Sequence, residues 1–117
     1  MPSYLLQVSY NAPALSALIH DPHNRVDVVR KPIENLGGKV IASWLAFGEF
    51  DLVTVIEMPD NLSAAAFALA ISAGGSLKAV KTTPLLTLEE GMTAMKMAAG
   101  AGCPGSRPGT KLRLALR

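Results

Sequence analysis

The chain has 117 residues, half of them hydrophobic and only 17% charged. That length fits one domain, which buries roughly two-thirds of its surface without disulfide staples. The net charge of +2 conceals an uneven distribution: the residues before 98 carry nine acidic and seven basic side chains, a net of −2, whereas Arg107, Lys111, Arg113 and Arg117 make the tail basic. A faintly acidic body gives poor footing on a phosphate backbone, so nucleic acid is not expected as a partner. No apolar run reaches the length that crosses a bilayer, and no membrane partner is expected. The segment Met1-Pro2-Ser3-Tyr4 leads directly into a strand-like stretch rather than a signal peptide, and Cys103 is the only cysteine. A reducing, cytoplasmic location is the expectation.

Residues 4–10 alternate Tyr4, Leu6, Val8 and Tyr10 against Leu5, Gln7 and Ser9, a period-2 strand signal. Asn11 can cap a helix that tolerates Pro13 in its first turn. Leu15, Leu18, Ile19, Val26, Val29, Ile33 and Leu36 follow at helical spacing. Pro22 cannot sit in a regular helix interior, so a break is predicted at Asp21-Pro22, with Asp21 or Asn24 capping the second half. Pro32 is a second irritant, and Gly37-Gly38 stops the helix. Strands are predicted over 39–47 and 52–58, joined by the loop Gly48-Glu49-Phe50-Asp51. A helix begins after Pro59-Asp60-Asn61, presents Ala64, Phe67, Ala68 and Ile71 on one face, and ends at Gly74-Gly75. Residues 77–86 form a fourth strand, and Pro84 places it at a sheet edge or marks its end. Thr87 and Glu90 make a capping box for a short last helix through Met97.

Two strand–helix–strand units in one sheet must both cross over right-handed, which puts both helices on the same face. The expected fold is therefore α+β, a ferredoxin-like βαββαβ order with a four-stranded antiparallel sheet, helices on one face and a short C-terminal helix. The other face has no cover within one chain, and the third strand's parity Leu52, Thr54, Ile56 and Met58 is too apolar for open water. Trp44 and Leu45 lie on opposite faces of their strand, and the pattern does not fix which face each takes. Sheet-to-sheet packing on a second copy would bury the leftovers, so the chain is expected to be a homo-oligomer of the dimeric α+β barrel type. The domain is expected over 1–98. Residues 99–117 read as a flexible Gly/Pro-rich linker and basic tail, whose alternating end from Lys111 to Arg117 would otherwise be an arm pairing with a neighbour's sheet edge.

The loop Gly48-Glu49-Phe50-Asp51 and the following Leu52-Val53-Thr54-Val55-Ile56-Glu57-Met58-Pro59-Asp60 resemble the GYD family, in which a Gly-x-Tyr-Asp loop leads a strand ending in Glu-x-Pro-Asp. Asp21, Arg25, Leu36-Gly37-Gly38 and Thr82 are similar to the family as well. The resemblance runs over about residues 3–92. Phe50 stands where the family usually has tyrosine, which removes a phenol hydroxyl. The resemblance implies a ferredoxin-like, dimeric α+β barrel type of fold and no established activity.

The candidate chemistry is sparse. Asp51 could act as a general base, or accept backbone N–H bonds and set its hairpin, the commoner role of a turn carboxylate. Arg25 could clamp a substrate or pair with Asp21 across the helix break. Trp44, Phe50, Tyr4 and Tyr10 could line an apolar pocket, though aromatic residues at strand spacing more often form core or interface. His20 and His23 flank the break and are the only metal-ligand candidates, with Asp21 or Glu34 to complete a site. The leading expectation is a small oligomeric module that binds an apolar or amphipathic ligand, or a protein, without catalysis. Its candidate ligand-binding residues are Trp44, Phe50, Asp51, Arg25 and Tyr10, and no cofactor is implied. One alternative is a cofactor-independent oxygenase or isomerase using Asp51 or His20 as base. The other is a metal-dependent regulator using His20 and His23.

Overall fold

The alternation at the start of the chain builds the centre of the molecule. In a computed structural model, which describes residues 1–102, strand β1 (Ser3–Tyr10) buries Tyr4, Leu6, Val8 and Tyr10 and leaves Leu5 and Gln7 half-buried on its other side. β1 pairs antiparallel with β3 (Leu52–Glu57) on one side and with β4 (Leu77–Leu85) on the other. β2 (Lys39–Leu45) pairs antiparallel with β3, which gives the order β2-β3-β1-β4. This is the expected four-stranded, ferredoxin-like sheet. β4 is an edge strand, so Pro84 costs the inner ladder nothing.

The first crossover is made by two helices. α1 (Ala12–His20) is capped by Asn11, whose Oδ1 accepts from the Ala14 N–H at 3.0 Å. It stops before Pro22, as a residue without an N–H demands. α2 (Val26–Asn35) starts where Asn24 Oδ1 accepts from the Val26 N–H at 3.0 Å, so Asn24 rather than Asp21 supplies the bond. Pro32 stays inside α2, and Ile33 beside it is fully buried. Gly37 closes the helix with a positive φ of 86°, and the Gly38 N–H returns to the Ile33 carbonyl at 2.9 Å. α3 (Asn61–Ala73) is capped by Asp60, which accepts from the Ser63 N–H at 2.8 Å. That hydrogen bond holds the Asp60 carboxyl below its ordinary pKa.

The core lies between the helices and one face of the sheet. Tyr4, Leu6, Val8, Tyr10, Ile56 and Met58 pack against Ile33, Ala64 and Phe67. Tyr4 also donates from its hydroxyl to Asn61 Oδ1 at 2.7 Å, tying β1 to the start of α3. Thr54 lies in this layer, fully buried, and shares a 2.8 Å hydrogen bond with Ser43.

Residues of α1, α2 and α3 all pack on this core side, which leaves the opposite face of the sheet without them. Register puts Leu5 beside Val55, Gln7 beside Val53 and Lys81, and Trp44 beside Val53 on that face. Trp44 reaches it because the β2–β3 register shifts between Val40 and Ala42. Val40 opposes core-facing Ile56, yet after one extra residue Ala42 opposes Val55. A bulge of this kind moves every following side chain to the other face.

α4 (Leu88–Ala101) belongs to a separate compact unit from Met1–Leu85. Both halves of its capping box form, with Thr87 Oγ1 accepting from the Glu90 N–H at 3.0 Å and Glu90 Oε1 accepting from the Thr87 N–H at 2.9 Å. The helix runs past Met97 to Ala101, so residues 99–101 are helical rather than linker. Ala98, Ala99 and Ala101 favour helix strongly enough to carry Gly100 with them. The remainder of the predicted linker and tail, including Cys103, lies outside the described residues.

Gly38 is where the first crossover meets the end of β3 most closely. A Cβ there would strike Met58 Sδ, lie 2.6 Å from the Glu57 carbonyl oxygen and 3.0 Å from Ile33 Cγ2. Gly38→Ala should therefore destabilise by about 1–3 kcal/mol, read as a lower urea midpoint with an unchanged slope. Gly48→Ala, which faces open space, should stay within about 0.5 kcal/mol of the parent.

Candidate functional site

The proline break leaves the turn Asp21–Arg25 to satisfy its own polar groups. The Asp21 N–H donates to the Ala17 carbonyl at 3.0 Å, and His23 Nδ1 lies 3.0 Å from the Asp21 carbonyl. The turn folds back toward the end of β1, where the Arg25 guanidinium lies over the Tyr10 ring, 5.5 Å from its centroid. Such a contact is worth about 0.5–1 kcal/mol or more as it loses water. Arg25 Nη1 lies 3.4 Å from His23 Nε2. Arg25 Nε is buried and has no hydrogen-bond partner among the described residues. The Asp21–Arg25 pair allowed by the sequence is replaced by this contact with His23.

Tyr10 and Arg25 form the shared wall of three cavities. The largest, about 610 Å³, is a groove between α1, the Asp21–Arg25 turn and the β2 edge from Val40 to Leu45. Leu15, Leu18 and Ile19 of α1 face it. A smaller space of about 190 Å³ lies under α2, among Leu6, Val8, Val29, Pro32 and Ile71. The third, about 250 Å³, opens beside Ala14, Asp21 and Ser76.

The candidates from the sequence fall into two groups. Tyr10 and Arg25 border the same groove, and Trp44, 57% exposed, belongs to its β2 edge although its register sets it on the opposite face of the sheet. Asp51 and Phe50 do not line any of these three cavities, nor does His20. Asp51 instead fastens the β2–β3 loop to β1: its Oδ2 accepts from the Tyr10 N–H at 2.9 Å, and its own N–H donates to the Val8 carbonyl at 2.8 Å. Its carbonyl accepts from the Ala46 N–H at 2.8 Å, and Ser9 Oγ donates to the Glu49 carbonyl at 2.7 Å, closing the same loop. Phe50 is half-buried in that loop. His20 is exposed, with Nδ1 2.8 Å from the Ser16 carbonyl. His23 borders the groove, but among the described residues no group of three or more His, Cys, Asp or Glu side chains has the spacing to hold a metal. Among those residues no helix is long and apolar enough to cross a membrane.

Arg30 and the α1 residues were not singled out as site residues from the sequence. The available signal was the helical row Leu15, Leu18 and Ile19, which buries no residue fully: Leu15 is 40% and Ile19 69% exposed. An apolar helical row left in solvent marks a surface meant to be covered.

The loop and strand that Asp51 anchors lie within a match to the family model described as the GYD domain, over residues 4–95. The chain belongs to the GYD domain family. Among solved structures, the crystal structure of FFRP-DM1 is similar at 14% identity and a TM-score of 0.47, covering 74% of this chain and 100% of that one. Hypothetical protein PHS023 from Pyrococcus horikoshii is similar at 14% identity and a TM-score of 0.49, covering 74% of this chain and 92% of that one. The curated proteins include no match. Within this GYD domain, the aspartate of the family loop has a defined structural task, and Phe50, in place of tyrosine, leaves that task untouched because the bonds belong to Asp51.

Removing the Asp51 carboxylate strands the Tyr10 N–H. Asp51→Ala should cost about 1–3 kcal/mol in chemical unfolding. Asp51→Asn should recover most of that loss, because an amide oxygen still accepts.

Proposed function

We propose that this GYD domain is a self-associating binding module that holds a small amphipathic ligand in the groove between α1, the Asp21–Arg25 turn and β2. The observation that carries the reading is the groove itself. A space of about 610 Å³ is walled mainly by apolar side chains, with a few polar groups converging beside Tyr10. That volume and composition are those of small-molecule sites. Apolar side chains left facing it, such as Leu15 and Ile41 at 40% and 47% exposure, gain by being covered.

Self-association rests on the other face of the sheet. Leu5, Val53, Val55 and Trp44 lie there, on the side away from α1, α2 and α3. A second copy packing sheet to sheet removes that surface from water and leaves the groove, on the helical side of the β2 edge, accessible.

Two readouts test the reading. Native mass spectrometry at micromolar concentration should give a homo-oligomer, and a monomer would refute self-association. The neutral dye Nile red should brighten on binding, and Leu15→Glu and Ile41→Glu, both at exposed positions, should each weaken that binding at least about fivefold without loss of fold. Dye binding that ignores both substitutions would remove the groove as the ligand site.

A further inference from the structure

The charged side chains that line the groove are of one sign, and Asp21 lies on the adjoining cavity. Arg25 and Arg30 line it together with His23, and no aspartate or glutamate does. Composition does not explain this, because the residues before 98 hold nine acidic side chains against seven basic ones. A cationic site in a faintly acidic body concentrates potential at one place and favours an anionic occupant.

The donors are also incompletely used. Arg25 presents a planar fork of N–H groups, which matches a carboxylate side-on through Nε and a neighbouring Nη. Here one Nη meets His23 Nε2 at 3.4 Å, the ring of Tyr10 supports the guanidinium at 5.5 Å, and Nε is buried with no partner among the described residues. A buried donor left unpaired costs free energy until an acceptor reaches it. The apolar walls supplied by Leu15, Leu18 and Ile19 begin beside this fork.

We infer that the ligand of this groove is an amphipathic carboxylate, whose head pairs with the Arg25 guanidinium and whose apolar body lies along α1 and the β2 edge. The inference rests on the reading of the groove as a ligand site and adds the chemical class. The chain's own tail is a poor rival for the place. Residues 103–117 contain Arg107, Lys111, Arg113 and Arg117 and no acidic side chain, so they carry the same positive charge as the groove and are repelled by it.

Calorimetric titration of the full chain with octanoate, octanol and octylammonium separates the head from the body. Octanoate should bind at least about tenfold tighter than octanol, the worth of a charge-assisted hydrogen bond. Octylammonium should bind more weakly than octanol. Arg25→Gln should erase the preference for octanoate and leave octanol within about twofold, while Arg25→Lys should keep part of the preference. Thermal unfolding of both variants establishes that they are folded. Equal affinity for octanoate and octanol, or a preference that survives Arg25→Gln, would overturn the carboxylate while leaving an apolar site in place. If none of the three amphiphiles binds, the ligand-site reading fails and the inference falls with it.

Discussion

Pro22 has no backbone N–H to give, and the helix that begins at Ala12 ends two residues before it. That single covalent constraint divides the first crossover into α1 and α2 and inserts the turn from Asp21 to Arg25 between them. A continuous helix would pack one stripe on the sheet and leave no opening at this end. The divided crossover instead lets the turn fold over the last residue of β1, placing the Arg25 guanidinium on the Tyr10 ring. The three cavities described all meet at this pair because the pair stands where the crossover opens.

The other side of Tyr10 is held equally firmly. Asp51 grips the Tyr10 N–H from the β2–β3 loop, while Tyr10 itself is buried in the core cluster against which Ala14, Leu18 and Val29 pack. The aspartate of the family loop thus acts through position. It fixes the backbone beneath the ring, and the ring supports the guanidinium. A floor set by hydrogen bonds and a cation held by a ring face give the groove a rigid polar end, which lowers the ordering cost of binding. The apolar end is supplied by α1, a helix that buries none of its residues completely.

Most of the framework was legible in the residues. The β1 alternation, the break at Pro22, the stop at Gly37-Gly38 and the edge position of Pro84 each follow from a local rule and each appears in the structure. The face taken by Trp44 was not legible, because the register shift between Val40 and Ala42 depends on pairing with β3 and leaves no mark in β2's own sequence. The last helix outruns its predicted end because three alanines around Gly100 outweigh one poor helix former. In the site, Tyr10, Arg25 and Trp44 were marked individually, but their meeting at one groove is a consequence of tertiary placement. Asp51 offered two readings, a base or a backbone acceptor. Its bond to Tyr10 reaches 41 residues along the chain, a separation no local turn rule anticipates.

We propose a ligand site headed by Arg25 in the groove beside Tyr10. Its most direct test is a nitrogen–proton correlation spectrum of the chain titrated with octanoate, followed at the Arg25 Nε–H resonance. That signal should move downfield as the guanidinium gains an acceptor, with backbone shifts confined to α1, the turn at residues 21–25 and the β2 edge. An Arg25 Nε–H signal that stays in place, with shifts spread over the face of the sheet away from α1, α2 and α3, would contradict it.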